Sequence, residues 1–174
     1  MRLLIVTGLP AAGKTSLAGL LATRYRVPLL TKDAIKEQLL DEAGAVDAAT
    51  SHRLSNLAFR LLFAGLRPLA VAGVDALLEG NFRAGEHEPP LRALAPARIA
   101  QVLCRVTEHT RLQRIAARAG DASRHPGHGE AQAPRDARND SFLDLPGERW
   151  LYAPAADGPP PAQLLRQLDD WWRD

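Results

Sequence analysis

Gly8-Leu9-Pro10-Ala11-Ala12-Gly13-Lys14-Thr15 fits the pattern G-x-x-x-x-G-K-[ST], whose chemistry is phosphate binding. Glycines at both ends permit backbone angles and close approach that a side chain would block. The intervening N–H groups can then wrap anionic oxygens, aided by the positive end of the helix that follows. Lys14 would reach the β- and γ-phosphates, and the Thr15 hydroxyl would hold Mg²⁺. The expected nucleotide contacts are Gly8, Leu9, Pro10, Ala11, Ala12, Gly13, Lys14, Thr15 and Ser16. An apolar run, Leu3 to Val6, leads in, and Leu17, Leu20 and Leu21 follow at helical spacing. The first fifteen residues thus predict binding of a nucleoside triphosphate, ATP or GTP, with Mg²⁺.

Three further sets of residues could act on a bound triphosphate. Asp33 follows the second apolar run, where a carboxylate can take the proton of an attacking hydroxyl. Capping its own helix is the simpler role, and the two are compatible. Lys36, one turn later, could touch the transferring phosphate or the acceptor, or could be a solvated surface lysine. Glu79 ends the third apolar run at the level of the phosphates. It could orient a metal-bound water or bind the acceptor; Asp75, four residues earlier, is the competing carboxylate. Arg111, Arg114 and Arg118 recur at i, i+3, i+7, with Arg124 beyond them. Arginines on a closing element neutralise charge on transferring phosphoryl oxygens and exclude water, so Arg118 and Arg124 are the expected catalytic pair. An exposed basic helix face is the plainer reading for at least one of the stripe residues. His125 and His128 lack the partners of a structural zinc site, and Cys104 lies in an apolar run as a small core residue.

These residues need a scaffold, and the pattern supplies an alternating one. Strands are expected near Leu3–Val6, Val27–Leu30, Gly73–Glu79, Ala97–Val106 and Trp150–Tyr152. Helices are expected over Thr15–Arg24, after Thr31-Lys32-Asp33 with Thr31 or Asp33 as cap and Gly44 as stop, and over Ala48–Leu66, where Pro68 should end or kink the chain. A short helix near Pro90–Ala95, a helix over Thr110–Ala119 with Leu112, Ile115 and Ala116 inward, and a last helix bearing Leu164, Leu168, Trp171 and Trp172 complete the set. Such alternation predicts an α/β fold with a five-stranded parallel sheet covered on both faces, and ligands beyond the carboxyl ends of its strands. With 174 residues and 46% hydrophobic content, one domain over residues 1–174 is expected, with a lid region at about 110–138.

Composition narrows the partners. A formal charge of +2 is too small a bias for a general nucleic-acid binder. Lysines number three and arginines nineteen, so arginine carries the positive charge beyond the first forty residues. One cysteine excludes an intramolecular disulfide. The apolar run after Arg2 is too short for a signal peptide, and no stretch reads as a membrane span, so a cytoplasmic protein without a membrane partner is expected.

The phosphate loop together with TKDAIKE, EGNFRAGEH and RHPGH resembles the small P-loop kinases grouped with zeta toxins and chloramphenicol phosphotransferase, from Met1 to roughly His128. The resemblance implies an NMP-kinase-like three-layer core with an arginine-bearing lid, and transfer of phosphate from ATP or GTP to a hydroxyl with Mg²⁺. Asp33 would then match the general base, Lys14 and Thr15 the nucleotide and metal residues, and Arg118 and Arg124 the lid arginines. By the same likeness, Phe142 to Gly158 would face the base. Polynucleotide 5′-hydroxyl kinases carry Arg where this chain has Lys36, a departure that weakens a nucleic-acid acceptor.

The leading expectation is a small-molecule O-phosphotransferase, with an antibiotic as one acceptor suggested by the resemblance. A polynucleotide 5′-hydroxyl kinase and a non-catalytic nucleotide-dependent switch are the alternatives. The acceptor pocket is expected among residues 33–66 and the loop after Glu79, with Lys36, Arg60, Glu79 and Arg83, and beside them His52 and Arg53, as candidates.

Overall fold

The computed structural model describes residues 1–44, 47–96, 98–118, 137–154 and 158–174, with only the backbone of Arg118. Five strands form one sheet: β1 (Arg2–Thr7), β2 (Leu29–Thr31), β3 (Ala76–Glu79), β4 (Arg98–Cys104) and β5 (Glu148–Tyr152). Their order is β2-β3-β1-β4-β5, and every neighbouring pair is parallel. Between and after them run α1 (Lys14–Tyr25), α2 (Lys32–Ala43), α3 (Ala48–Val71), the short α4 (Glu88–Arg92), α5 (Glu108–Arg118) and α6 (Ala162–Arg173).

Strand alternation sends β1 side chains into two separate cores. Leu4 and Val6 meet Leu17 and Leu21 of α1 and Leu168 and Trp171 of α6 on one face. Leu3 and Ile5 meet Phe59, Leu62 and Leu66 of α3, with Phe82 and Leu91, on the other. The result is helices, sheet, helices in three layers. Asp75 accepts hydrogen bonds from the Arg2 backbone N–H at 2.6 Å and Arg2 Nε at 2.9 Å, pinning the starts of β1 and β3 together. That contact engages Asp75 at the sheet end remote from Glu79.

Several elements depart from the sequence expectation. Helix α3 passes through Pro68 to Val71, because an exposed proline near a helix end forfeits only one hydrogen bond and Leu66 keeps the preceding turn buried. This helix is also long and apolar enough to cross a membrane by length and composition alone, which corrects the reading that no stretch is; here its Phe59, Leu62 and Leu66 pack on the sheet. Helix α5 is rotated from the expected face. Leu112 is 51% exposed and Ala116 exposed, while Arg111 and Ile115 are buried and Arg114 half-buried. Positions 111, 114 and 115 are as good a helical stripe as 112, 115 and 116, and the structure selects the one bearing arginines.

Candidate active site

Parallel register brings three strand ends side by side. Val6 lies opposite Glu79, and Glu79 opposite Thr31. The phosphate loop follows β1, Lys32 and Asp33 follow β2, and Glu79 closes β3, so the expected Lys14, Asp33 and Glu79 meet at one sheet edge with Lys32 beside them.

The loop's shape depends on its glycines. Gly8 has φ +137°, and a Cβ there would drive into the Cys104 carbonyl oxygen of β4. Gly13 has φ +88° and lies against the Pro154 ring, which a Cβ would approach to 3.0 Å. Between them Ala11 also has positive φ, 63°, and Ala12 N–H donates to Leu9 O at 3.2 Å. The buried Lys14 ammonium donates to Leu9 O at 3.0 Å and so lies over the loop. Thr15 and Ser16 are exposed in the first turn of α1.

Glu79 is fully buried, and neither carboxylate oxygen has a hydrogen-bond partner among the described residues. Burial pushes its carboxyl up to about 7; Lys14 and Lys32 pull it back down, and Asp33 adds to the rise. A solvent-free carboxylate beside a phosphate loop, with a hydroxyl available at Thr15, is a hard oxygen donor set suited to Mg²⁺. Asp33 accepts a hydrogen bond from Lys32 Nζ at 2.9 Å and keeps its side chain 39% exposed. The N-cap position of α2 belongs to Thr31, without a side-chain cap bond, and Asp33 lies inside the first turn. Thus Asp33 serves the helix through its charge at the positive end rather than as a cap.

Lys36 is buried, not a solvated surface lysine, and donates to Ser51 Oγ of α3 at 3.0 Å. Burial and the neighbouring Lys32 hold its ammonium below the usual lysine range. Arg83 donates to Asn56 Oδ1 at 2.8 Å and pairs with Glu86 at 3.1 Å. Arg60 is exposed one turn past Asn56 and is not drawn into this cluster. His52 and Arg53 are likewise exposed on α3, Arg53 donating to Thr50 Oγ1.

Of the arginine stripe, Arg111 is buried in an ion pair with Glu108 at 2.7 Å. Arg114 reaches the phosphate loop, donating to Ala11 O at 3.3 Å and to Pro154 O at 3.1 Å. The Arg118 side chain, Arg124, His125 and His128, and with them most of the expected lid, lie outside the described residues. Of the expected base-facing stretch, Pro154 packs on Gly13 and Leu143 and Leu145 are buried in the α3-side core, while residues 155–157 lie outside the described residues.

Sequence reasoning missed three residues that the fold brings in. Lys32, buried between Asp33 and the Phe59 ring, was hidden by its adjacency to Asp33. His87 is buried against Phe59, Phe63 and Phe82, and its Nδ1 accepts the Arg83 backbone N–H at 2.9 Å; burial holds its imidazole down at about 4. Phe59 itself links this group to Lys32 and Arg83. The clue available was the aromatic spacing of Phe59 and Phe63 on an otherwise leucine-rich stripe.

The AAA domain family profile matches residues 3–139. The chain belongs to the AAA domain family. As an AAA domain protein it is similar, at 30% identity and TM-score 0.87, to a Chloroflexus aurantiacus protein provisionally named a kinase, over 98% of this chain and 97% of that one. A sugar kinase from Janibacter shares the fold at 16% identity and TM-score 0.65, over 99% of this chain and 95% of that one. So does the APS kinase of Mycobacterium tuberculosis, solved with AMPPNP and APS, at 17% identity and TM-score 0.62, over 99% and 98%. No curated protein sequence matches. This AAA domain therefore has the three-layer fold of P-loop kinases.

Proposed function

We propose that the protein is an NTP-dependent phosphotransferase that moves the γ-phosphate of ATP or GTP to a hydroxyl of a small molecule. The observation that carries this reading is the Val6–Glu79–Thr31 register, which sets Asp33 and Glu79 beside Lys14 at one edge. The kinases sharing the fold support it.

In this reading the backbone of Gly8–Ser16 and the Lys14 ammonium bind and orient the triphosphate. Asp33, held by Lys32, accepts the proton of the acceptor hydroxyl as its oxygen attacks. The buried walls around Glu79 exclude water, which favours transfer over hydrolysis. Thr15 and Glu79 would hold Mg²⁺, which supplies charge neutralisation at the phosphate oxygens. Arg118 and Arg124 would supply further positive charge, and Lys36 and Arg83 would face the acceptor, with Arg60 at its exposed rim. A place beside zeta toxins and chloramphenicol phosphotransferase, and an antibiotic acceptor, rest on the sequence resemblance alone. A cytoplasmic location, where nucleoside triphosphates are available, belongs to the same reading.

The test is an acceptor screen over antibiotics, sugars, sugar acids, nucleosides and oligonucleotides, followed as NDP release above the acceptor-free rate. A stimulated rate with phosphate recovered on the acceptor supports the proposal. Nucleotide binding without stimulation by any acceptor would favour a switch instead.

A further inference from the structure

Lys32 and Lys36 stand one turn apart on the same face of α2, and both are withdrawn from water, at 5% and 8% exposure. Like charges at this spacing repel, and a buried ammonium is costly unless its charge is met. Lys32 is met: Asp33 lies 2.9 Å away and the Phe59 ring centroid 5.9 Å away. Lys36 is not. Its ammonium carries three donors, and its hydrogen bond among the described residues is to one neutral oxygen, Ser51 Oγ. A third cation, Arg83, lies across Phe59 with its guanidinium 6.0 Å from the ring, and its charge is shared with Glu86. Glu79 makes no hydrogen bond to Lys36. Among the described residues, the wall between α2, α3 and the loop after β3 therefore holds one buried ammonium with no carboxylate in hydrogen-bond contact, that of Lys36.

We infer that the acceptor carries an anionic group, a carboxylate or a phosphoryl group, beside its reacting hydroxyl, and that Lys36 with Ser51 receives it. This rests on the phosphotransfer reading and narrows it to acidic hydroxy compounds. Asp33 and Lys36 are three residues apart on one helix, so the anion would lie about one helical turn, ~5 Å, from the hydroxyl that Asp33 deprotonates. A neutral antibiotic is thereby excluded as the natural acceptor.

The experiment uses the full chain and matched acceptor pairs. Aldonic acids are compared with the alditols of equal carbon number, and sugar phosphates with the parent sugars, by NDP release. The acidic member of at least one pair should have kcat/KM roughly 10- to 100-fold above its neutral partner, through KM. The two pair types tell a carboxylate from a phosphoryl group. Lys36→Met should collapse the acid-to-neutral ratio toward unity and Lys36→Arg should restore most of it. A lysine that merely ties α2 to α3 would instead lower both members of a pair alike. Equal turnover of acids and neutral partners, or a ratio unmoved by Lys36→Met, overturns this inference and leaves the phosphotransfer reading standing. No stimulation by any acceptor, with AMPPNP still bound, defeats that reading and this inference with it.

Discussion

Arg114 of α5 donates to the carbonyl of Ala11, 103 residues earlier, at 3.3 Å, and with its other terminal nitrogen to Pro154 at 3.1 Å. One guanidinium therefore ties the phosphate loop to the chain that leaves β5. The Pro154 ring on Gly13 closes the same contact. Arg114→Ala should weaken AMPPNP binding by roughly tenfold, the worth of a charged hydrogen bond or two at a partly exposed site. Arg114→Lys, which cannot span both carbonyls, should recover only part. Titration calorimetry decides this, and unchanged affinity in the alanine variant would refute it.

Gly8→Ala tests the loop's backbone. The added methyl meets the Cys104 carbonyl at a φ that L-residues rarely adopt, so the loop must shift or β4 must yield. Loss of nucleotide binding together with a lowered melting temperature is expected. An alanine variant that melts and binds like the parent would show that the loop is not clamped against β4.

Asp33→Asn tests the proposed proton acceptor while keeping its shape. Turnover with an identified acceptor should fall by about 10²- to 10⁴-fold, with AMPPNP affinity nearly preserved. Near-parental turnover would remove Asp33 from the role of base. The neighbouring Lys32 loses a charged partner in this variant, so a modest loss of stability should accompany it.

Glu79 makes stability depend on pH. Its folded carboxyl sits at about 7, above the ordinary 4.5. Between those values the folded chain holds a proton that the unfolded chain has released, so stability falls as pH rises from 4.5 to 7 and is level above. The loss is on the order of 3 kcal/mol. Glu79→Gln should flatten that slope and raise the melting temperature at pH 8, while losing activity. Mg²⁺ with AMPPNP should stabilise the parent more at pH 8 than at pH 6, and the Gln variant equally at both. A Gln variant that is less stable than the parent at pH 8 would contradict the burial argument.

His87 tilts the acid side the other way. Its imidazole, at about 4 in the aromatic cluster, stays neutral while the unfolded chain takes up a proton below 6.5. Stability is thereby lost as pH falls from 6.5 to 4. In their overlap the two groups nearly cancel, so the parent should show a shallow profile. His87→Gln should leave a melting temperature that declines steadily from pH 5 to 7, where the Glu79 slope stands alone. A profile for that variant identical to the parent's would count against it.

Much of this was legible in the chain itself. Gly8 to Thr15 dictates a phosphate loop because few other spacings combine two glycines, a lysine and a hydroxyl before a leucine-periodic helix. Buried apolar runs between amphipathic segments likewise dictate a parallel sheet, and with it the edge where Asp33 and Glu79 stand. Helical periodicity could not choose between the Leu112 and Arg111 faces of α5, since both stripes contain Ile115. Nor could it show that α3 would run on past Pro68. Those were settled by packing: an ion pair with Glu108 lets Arg111 turn inward, and carbonyls at Ala11 and Pro154 await Arg114. The burial of Lys32 and Lys36 was equally out of reach, because the desolvation of a charge depends on what lies opposite, and Phe59 and Ser51 arrive there only when α3 folds against α2. Local chemistry named the residues of the phosphate-loop motif; only the tertiary structure decided which of the charges would be buried.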